Sequence, residues 1–294
     1  MATKRRTSRT RRSTRAFEVY TAKASAPAAK KKGAARPFTI LVRFRGGLTA
    51  KQKAAFTAAA DRWSEVIVGD LPPVVIDGEQ IDDILIEAEG ASIDGPGKIL
   101  GQAGPTHLRP ASAGAAAFIP AKGIMSFDSA DLAAMEADGT LKDVITHEMG
   151  HVLGIGTVWT RKKLLKGAGG ANPTFRGTSA MAEYGKLKKT AATPVPVENT
   201  GGVGTRDSHW RETIFKNELM TGFVGGKPNP LSRVTVASLK DLGYVVDLAK
   251  AEKYKLPDLM DLAEEGALVA RTMTVSDSLV LPSIPIVLPA GSLQ

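Results

Sequence analysis

TLKDVITHEMGHVLGIG, residues 140–156, is the stretch on which the reading of this chain turns. Taken at 3.6 residues per turn, Leu141, Ile145, Met149 and Val152 form one stripe, and Val144, His147, Glu148 and His151 form another. The pattern predicts a helix over Leu141–Leu153 with an apolar back on the core and a polar front on a cleft. Thr140 and Asp143 have the spacing of a helix start, and Gly154 can take the left-handed conformation that ends one. One turn apart, His147 and His151 can offer both imidazoles to a single ion. Glu148, on the adjoining part of that face, can reach a metal-bound water without itself binding the metal. Imidazole nitrogen suits zinc, and a catalytic zinc site needs three protein ligands plus an open position. The chain has four histidines; two do not complete the site, and His107 and His209 remain.

Working outward, Phe38, Ile40, Val42 and Phe44 alternate as in a half-buried strand that ends at Gly46-Gly47. Thr49 and Gln52 make a capping-box pattern for a helix over Thr49–Val68, with Phe56, Ala59, Trp63 and Val66 on its core face. Trp63 is read as core. DILIEAE (83–89) and Ala115–Ile119 read as strands, and Ile93–Pro105 as a Gly/Pro-rich loop. GIMSF (123–127) is a short strand closed by Asp128-Ser129. Residues 155–208 are rich in Gly, Thr and Pro, with one helix expected near Ser179–Lys189. A last helix over Val234–Leu242 stops at Gly243. These elements predict a mixed α/β layer domain with one sheet over residues 37–250. Its N-terminal part is 37–154 and its less regular C-terminal part 155–250. Residues 251–294 read as an extension, and no internal repeat is present.

The formal charge of +9 over 294 residues suggests nucleic acid until it is located. Residues 1–36 hold 12 Lys/Arg and one acid, Glu18, whereas the remaining 258 residues hold 27 basic and 29 acidic side chains. Residues 1–36 are therefore expected to be a disordered basic tail, able to bind nucleic acid only non-specifically. Zero cysteines rules out disulfides and thiolate ligands. No apolar run reaches the ~20 residues of a membrane span, and no signal segment is visible. A monomer is expected, cytoplasmic or exported without a leader.

The string DSHWRETIFKNELMTG, residues 207–222, adds a second anchor. HEMGHVLG, a long insertion, then SHW and NELMTG resemble the leishmanolysin-type metallopeptidases of the metzincin group, over about residues 37–245. The resemblance implies His209 as third zinc ligand and Met220 as the methionine of a turn beneath the metal. Other metzincins carry a His or Asp where this chain has Thr157, which fits the long-insertion branch. The implied fold is α+β: a mixed, mostly parallel twisted sheet with an antiparallel edge strand, an active-site helix and an irregular C-terminal subdomain. Gly123, Ile124, Met125 and Ser126 become the cleft-rim strand lying antiparallel to substrate, and Thr221 and Gly222 begin a pocket wall that runs to Val224. Some relatives place a tyrosine where Gly222 stands, so that role is vacant. The implied activity is zinc-dependent endopeptidase chemistry on a protein or peptide, with Glu148 as general base and one catalytic zinc ion. A structural calcium at Asp94 is a further expectation; His107 is read as a surface or hydrogen-bonded residue. The rival readings are a non-cutting metal-binding protein of the same fold, and a binder of nucleic acid or anionic surfaces through the tail.

Overall fold

The alternation at Phe38–Phe44 becomes strand β2 (Thr39–Gly46) in a computed structural model that describes residues 17–93, 95, 101–202, 204–222, 228–258 and 284–294. β2 pairs in parallel with β5 (Ile84–Ala91), and β5 in parallel with β7 (Pro120–Asp128), so that Val42, Ile86 and Gly123 lie side by side. β6 (Gly101–Leu108) runs antiparallel to β7 on its far side, and β11 (Ile286–Val287) adds in parallel to the end of β6. β1 (Glu18–Lys23) closes the opposite edge antiparallel to β2. The sheet order is β1-β2-β5-β7-β6-β11.

After β2 the chain enters α2 (Ala50–Val66) through the expected capping box. Gln52 N donates to Thr49 Oγ1 at 3.2 Å, and Thr49 N donates to the Gln52 side chain at 2.9 Å. Phe56, Ala59 and Trp63 are fully buried under this helix. Beside it on the same face of the sheet lies α4 (Leu141–Val152), and the Trp63 indole N–H donates to the Thr146 carbonyl at 2.9 Å. The other face is covered in part by a hairpin of β3 (Val74–Ile76) and β4 (Glu79–Ile81), which packs with Leu85, Ala121 and Leu288 in a second small core. Arg109, wholly buried, ties this hairpin down by donating to the carbonyls of Pro72, Asp82, Asp83 and Pro120 at 2.6–3.1 Å.

Beyond α4 the structure is mostly loops around short elements: β8 (Leu165–Lys166), β9 (Thr174–Phe175), α5 (Thr178–Lys188), β10 (Val195–Pro196), α6 (Glu212–Phe215) and α7 (Arg233–Leu242). β8, β9 and β10 form a small three-stranded antiparallel sheet, and packed aromatic rings fill the core beside it. Trp159 and Trp210 lie 4.8 Å apart between centroids, Phe175 meets Trp210 edge-on at 5.6 Å, and Phe215 follows at 6.0 Å.

Several expectations fail, each for a physical reason. Order starts well before Pro37: the lysine-rich residues 17–36 form β1 and helix α1 (Ala26–Lys31). Only small side chains, Ala22, Ala24 and Ala29, are buried there, so the segment shows no hydrophobic period while its main chain still pairs with β2. The end of the Gly/Pro-rich loop is β6, because GQAGP needs little side chain where β7 supplies a full set of main-chain partners. Ala115–Ile119 is a 3-10 turn and bend, with Phe118 at φ +64. Helix α3 (Ser129–Asp138), unpredicted, is capped by the Asp128 carboxylate, which accepts from Ala130 N at 2.8 Å. Thr140 does not cap α4; its hydroxyl is bonded to the Asp138 carboxylate at 2.6 Å. Residues 284–294 return to the sheet, where Gln294 N donates to the Pro73 carbonyl at 3.0 Å. The main sheet has both parallel and antiparallel pairs, but the antiparallel strand beside β7 is flanked by β11 and is not the outermost. Among the described residues no helix is long and apolar enough to cross a membrane.

Candidate metal centre

Helix α4 delivers two of the histidines. The Nε2 atoms of His147 and His151 lie 3.0 Å apart. His209, 58 residues further along the chain than His151, brings its own Nε2 to 3.0 Å from His147 and 2.9 Å from His151. Each ring faces a main-chain carbonyl through its other nitrogen: His147 Nδ1 meets Leu219 O at 2.6 Å, His151 meets Ile155 O at 2.9 Å, and His209 meets Thr205 O at 2.9 Å. A carbonyl can only accept, so each Nδ1 carries the proton and each Nε2 is left with a lone pair. Three lone pairs then converge with no donor among them. The arrangement is repulsive by itself and becomes favourable around a cation, and neutral imidazole with its second nitrogen hydrogen-bonded is the donor that zinc takes. Burial keeps the rings neutral. It lowers His147 to about 3, with the neighbouring His151 adding to the effect, and His151 to about 4. His209 is pushed well below its ordinary value by burial and then by the other two rings.

Glu148 is 2% exposed, and its buried Oε1 has no hydrogen-bond partner. That oxygen lies 3.9 Å from His147 Nε2. An orphaned carboxylate oxygen beside three converging lone pairs is a donor set that a metal ion and its water would complete. The residues therefore fit a zinc ion held by His147, His151 and His209. From Val144 to Val152 every residue of the helix carrying them is buried, the supposed polar front included.

The distant histidine arrives by close backbone contact. Gly154 ends α4 at φ +106, and Gly156 follows at φ +74. A Cβ on Gly156 would stand 2.1 Å from Ser208 O, so glycine is required where this loop touches the segment bearing His209. Thr157 caps the helix end, donating its hydroxyl to His151 O at 2.8 Å. Glu198, buried, braces the other side. Its N–H donates to His209 O at 2.9 Å, its carbonyl accepts from Asp207 N at 3.0 Å, and its carboxylate accepts from Glu212 N at 2.8 Å.

Met220 is buried and packs against α4 at Gly150. A Cβ on Gly150 would come 2.8 Å from the Met220 sulfur and 2.9 Å from the Trp63 ring, so the glycine inside HEMGH makes room for both. Thr221 is buried and donates to the carbonyls of Lys216 and Glu218 at 2.8 and 3.0 Å. Gly222 faces Thr205, whose methyl would lie 2.8 Å from an added Cβ. The rest of the expected pocket wall, 223–224, lies outside the described residues. Gly123–Ser126 is not a rim. Main-chain bonding to β5 on one side and β6 on the other leaves it no free edge, Met125 is core, and Ser126 Oγ donates to Glu89 at 3.0 Å. His107 is half-buried on β6, 3.0 Å from Thr106 Oγ1, and is not in the cluster. Asp94 lies outside the described residues, and among those described no carboxylate cluster gathers at its loop.

Comparison with known proteins bears on the same region. The sequence model of the leishmanolysin peptidase family matches residues 116–258. The chain is leishmanolysin-like. Leishmanolysin of Leishmania donovani is 28% identical over 143 residues, 46% of this chain and 24% of that protein. A leishmanolysin homolog of Crithidia fasciculata is 26% identical over 133 residues, 42% of this chain and 20% of that protein. The matched stretch thus spans a quarter or less of these relatives. The family-model match holds His147, Glu148, His151, His209 and Met220, and it covers the later part of the 37–245 span of the resemblance.

Sequence reasoning missed Gly150, Gly156, Glu198 and Glu218. Glu218 is fully buried, with its carboxyl raised by burial against the opposing pull of hydrogen bonds from Thr235, Ser232 and Met220. Gly150, Gly156 and Glu218 sit inside the two quoted stretches, whereas nothing local marks Glu198.

Proposed function

We propose that this chain is a zinc-dependent metalloendopeptidase of the metzincin type, with Glu148 as general base and Met220 as the Met-turn. The observation carrying the reading is the set of three neutral imidazoles converging beside a buried carboxylate one of whose oxygens, Oε1, has no hydrogen-bond partner. A zinc ion held there would act as a Lewis acid and lower the pKa of its bound water toward ~7. Glu148 takes the proton of the attacking water at its free oxygen and returns it to the leaving amine. The orienting carbonyls of Leu219, Ile155 and Thr205 keep the rings in the one tautomer that can bind. A substrate peptide adds in extended form to the outer edge of β6 at Gly101–Pro105, since Gly123–Ser126 is enclosed.

Glu148→Gln should retain one zinc per chain while losing at least about a thousandfold in casein or peptide cleavage, the scale of a missing acid–base group. Metal analysis and a chelator-controlled cleavage assay measure both. Zinc bound by the wild type with no cleavage of any peptide in a broad library would favour the non-cutting reading.

A further inference from the structure

Two of the three histidines trace back to one buried side chain outside the cluster. Glu218 sits two residues before Met220, with no exposed surface. One carboxylate oxygen accepts from Met220 N at 2.6 Å; the other accepts from Ser232 N at 3.0 Å and from the Thr235 hydroxyl. Ser232 and Thr235 form the N-terminal turn of α7, whose cap is Ser232 itself. The carboxylate therefore bolts the turn 218–220 onto the start of a helix.

Each end of that bolt reaches a histidine. On one branch, Leu219 lies between Glu218 and Met220, and its carbonyl receives the Nδ1 proton of His147 at 2.6 Å. On the other, the Thr235 hydroxyl donates to Glu218 and accepts from the Trp210 indole N–H at 2.7 Å. Trp210 directly follows His209, and its own N–H donates to Met220 O at 2.9 Å.

We infer that Glu218 is a positioning residue for the metal, holding the orientation of His147 through Leu219 and that of His209 through Thr235 and Trp210. This rests on the reading that the three histidines hold zinc. It does not depend on peptidase activity. Partners that orient a metal-bound histidine ordinarily carry about 10–100-fold in metal affinity, and one residue orienting two ligands should fall at the upper end.

The measurement is zinc affinity of folded protein by chelator competition, with the visible spectrum of the cobalt-substituted protein as a readout of ligand geometry. Glu218→Gln keeps size but puts an amide N–H₂ against donors. It should weaken zinc binding by about 30–100-fold and alter the cobalt bands. Thr235→Val should weaken it less, and Thr235→Ser, which restores the hydroxyl, should return affinity to within about threefold of wild type. Glu183→Gln is the structural control: it breaks the ion pair of Glu183 with Arg233 at 2.7 Å, on α5 and α7 but apart from the histidines' hydrogen bonds. It should lower Tm and leave zinc affinity unchanged. Should Glu218→Gln prove too unstable, the Thr235→Val and Thr235→Ser pair carries the test alone. Wild-type affinity and cobalt spectrum in folded Glu218→Gln or Thr235→Val would overturn the inference. Failure of the wild type to bind either metal would instead overturn the reading of the site.

Discussion

The sheet-and-helix layer before Gly154 and the loop-rich region after it satisfy their main chains in different ways. In the first, N–H and C=O groups pair with one another along β2, β5, β7 and β6. Side chains are then free to sort by hydrophobicity, and the sorting shows as a period. In the second, side chains finish the main chain. Asp241 accepts from Ser179 N and Ala180 N at 2.9 Å, Glu198 accepts from Thr200 N and Glu212 N, and Arg211 donates to the carbonyls of Pro173 and Val197. The polar residues there are chosen one by one, and no repeat records them. A region can be as fully hydrogen-bonded as a sheet and leave no pattern in its sequence.

The contrast predicts that the two regions break differently. Trp63→Ala, in the layer, should cost about 3–5 kcal/mol of global stability, read by urea denaturation, because it removes a full ring from the core and a donor from Thr146. Chelating the metal should cost about 3 kcal/mol where zinc stood at a hundredfold over its Kd, but unevenly. Hydrogen exchange should speed at residues 205–221 while the amides of β2, β5 and β7 stay protected; equal loss in both regions would contradict the division. Gly156→Ala should cost about 2 kcal/mol through its positive φ and its contact with Ser208, and should lower zinc affinity as well as Tm. Thr49→Ala, the cap of α2, should cost only about 1 kcal/mol and leave metal binding untouched.

What could be read in advance follows the same line. β2, α2, β5, α4, α5 and α7 were legible because period, caps and glycine stops agree at Phe38–Phe44, Thr49/Gln52 and Gly243. The pair His147/His151 was legible because helix geometry alone places two residues four apart on one face. His209 and Met220 were reachable only through family resemblance, since no local rule connects residue 151 to residue 209. β1 was lost because its buried residues are alanines among lysines. Glu198 and Gly156 were lost because their partners, Glu212 and Ser208, become neighbours only after folding. Gly123–Ser126 reads as a free edge in the sequence because GQAGP carries no side chains that announce the strand paired beside it.

The short β11 has a consequence for reach. It occupies the outer edge of β6 at His107 and Leu108, and among the described residues no strand pairs with that edge at Gly101–Pro105. Five residues of strand measure about 17 Å. A guest peptide laid on that edge, as proposed above, would have a berth of that length, bounded at its His107 end by β11.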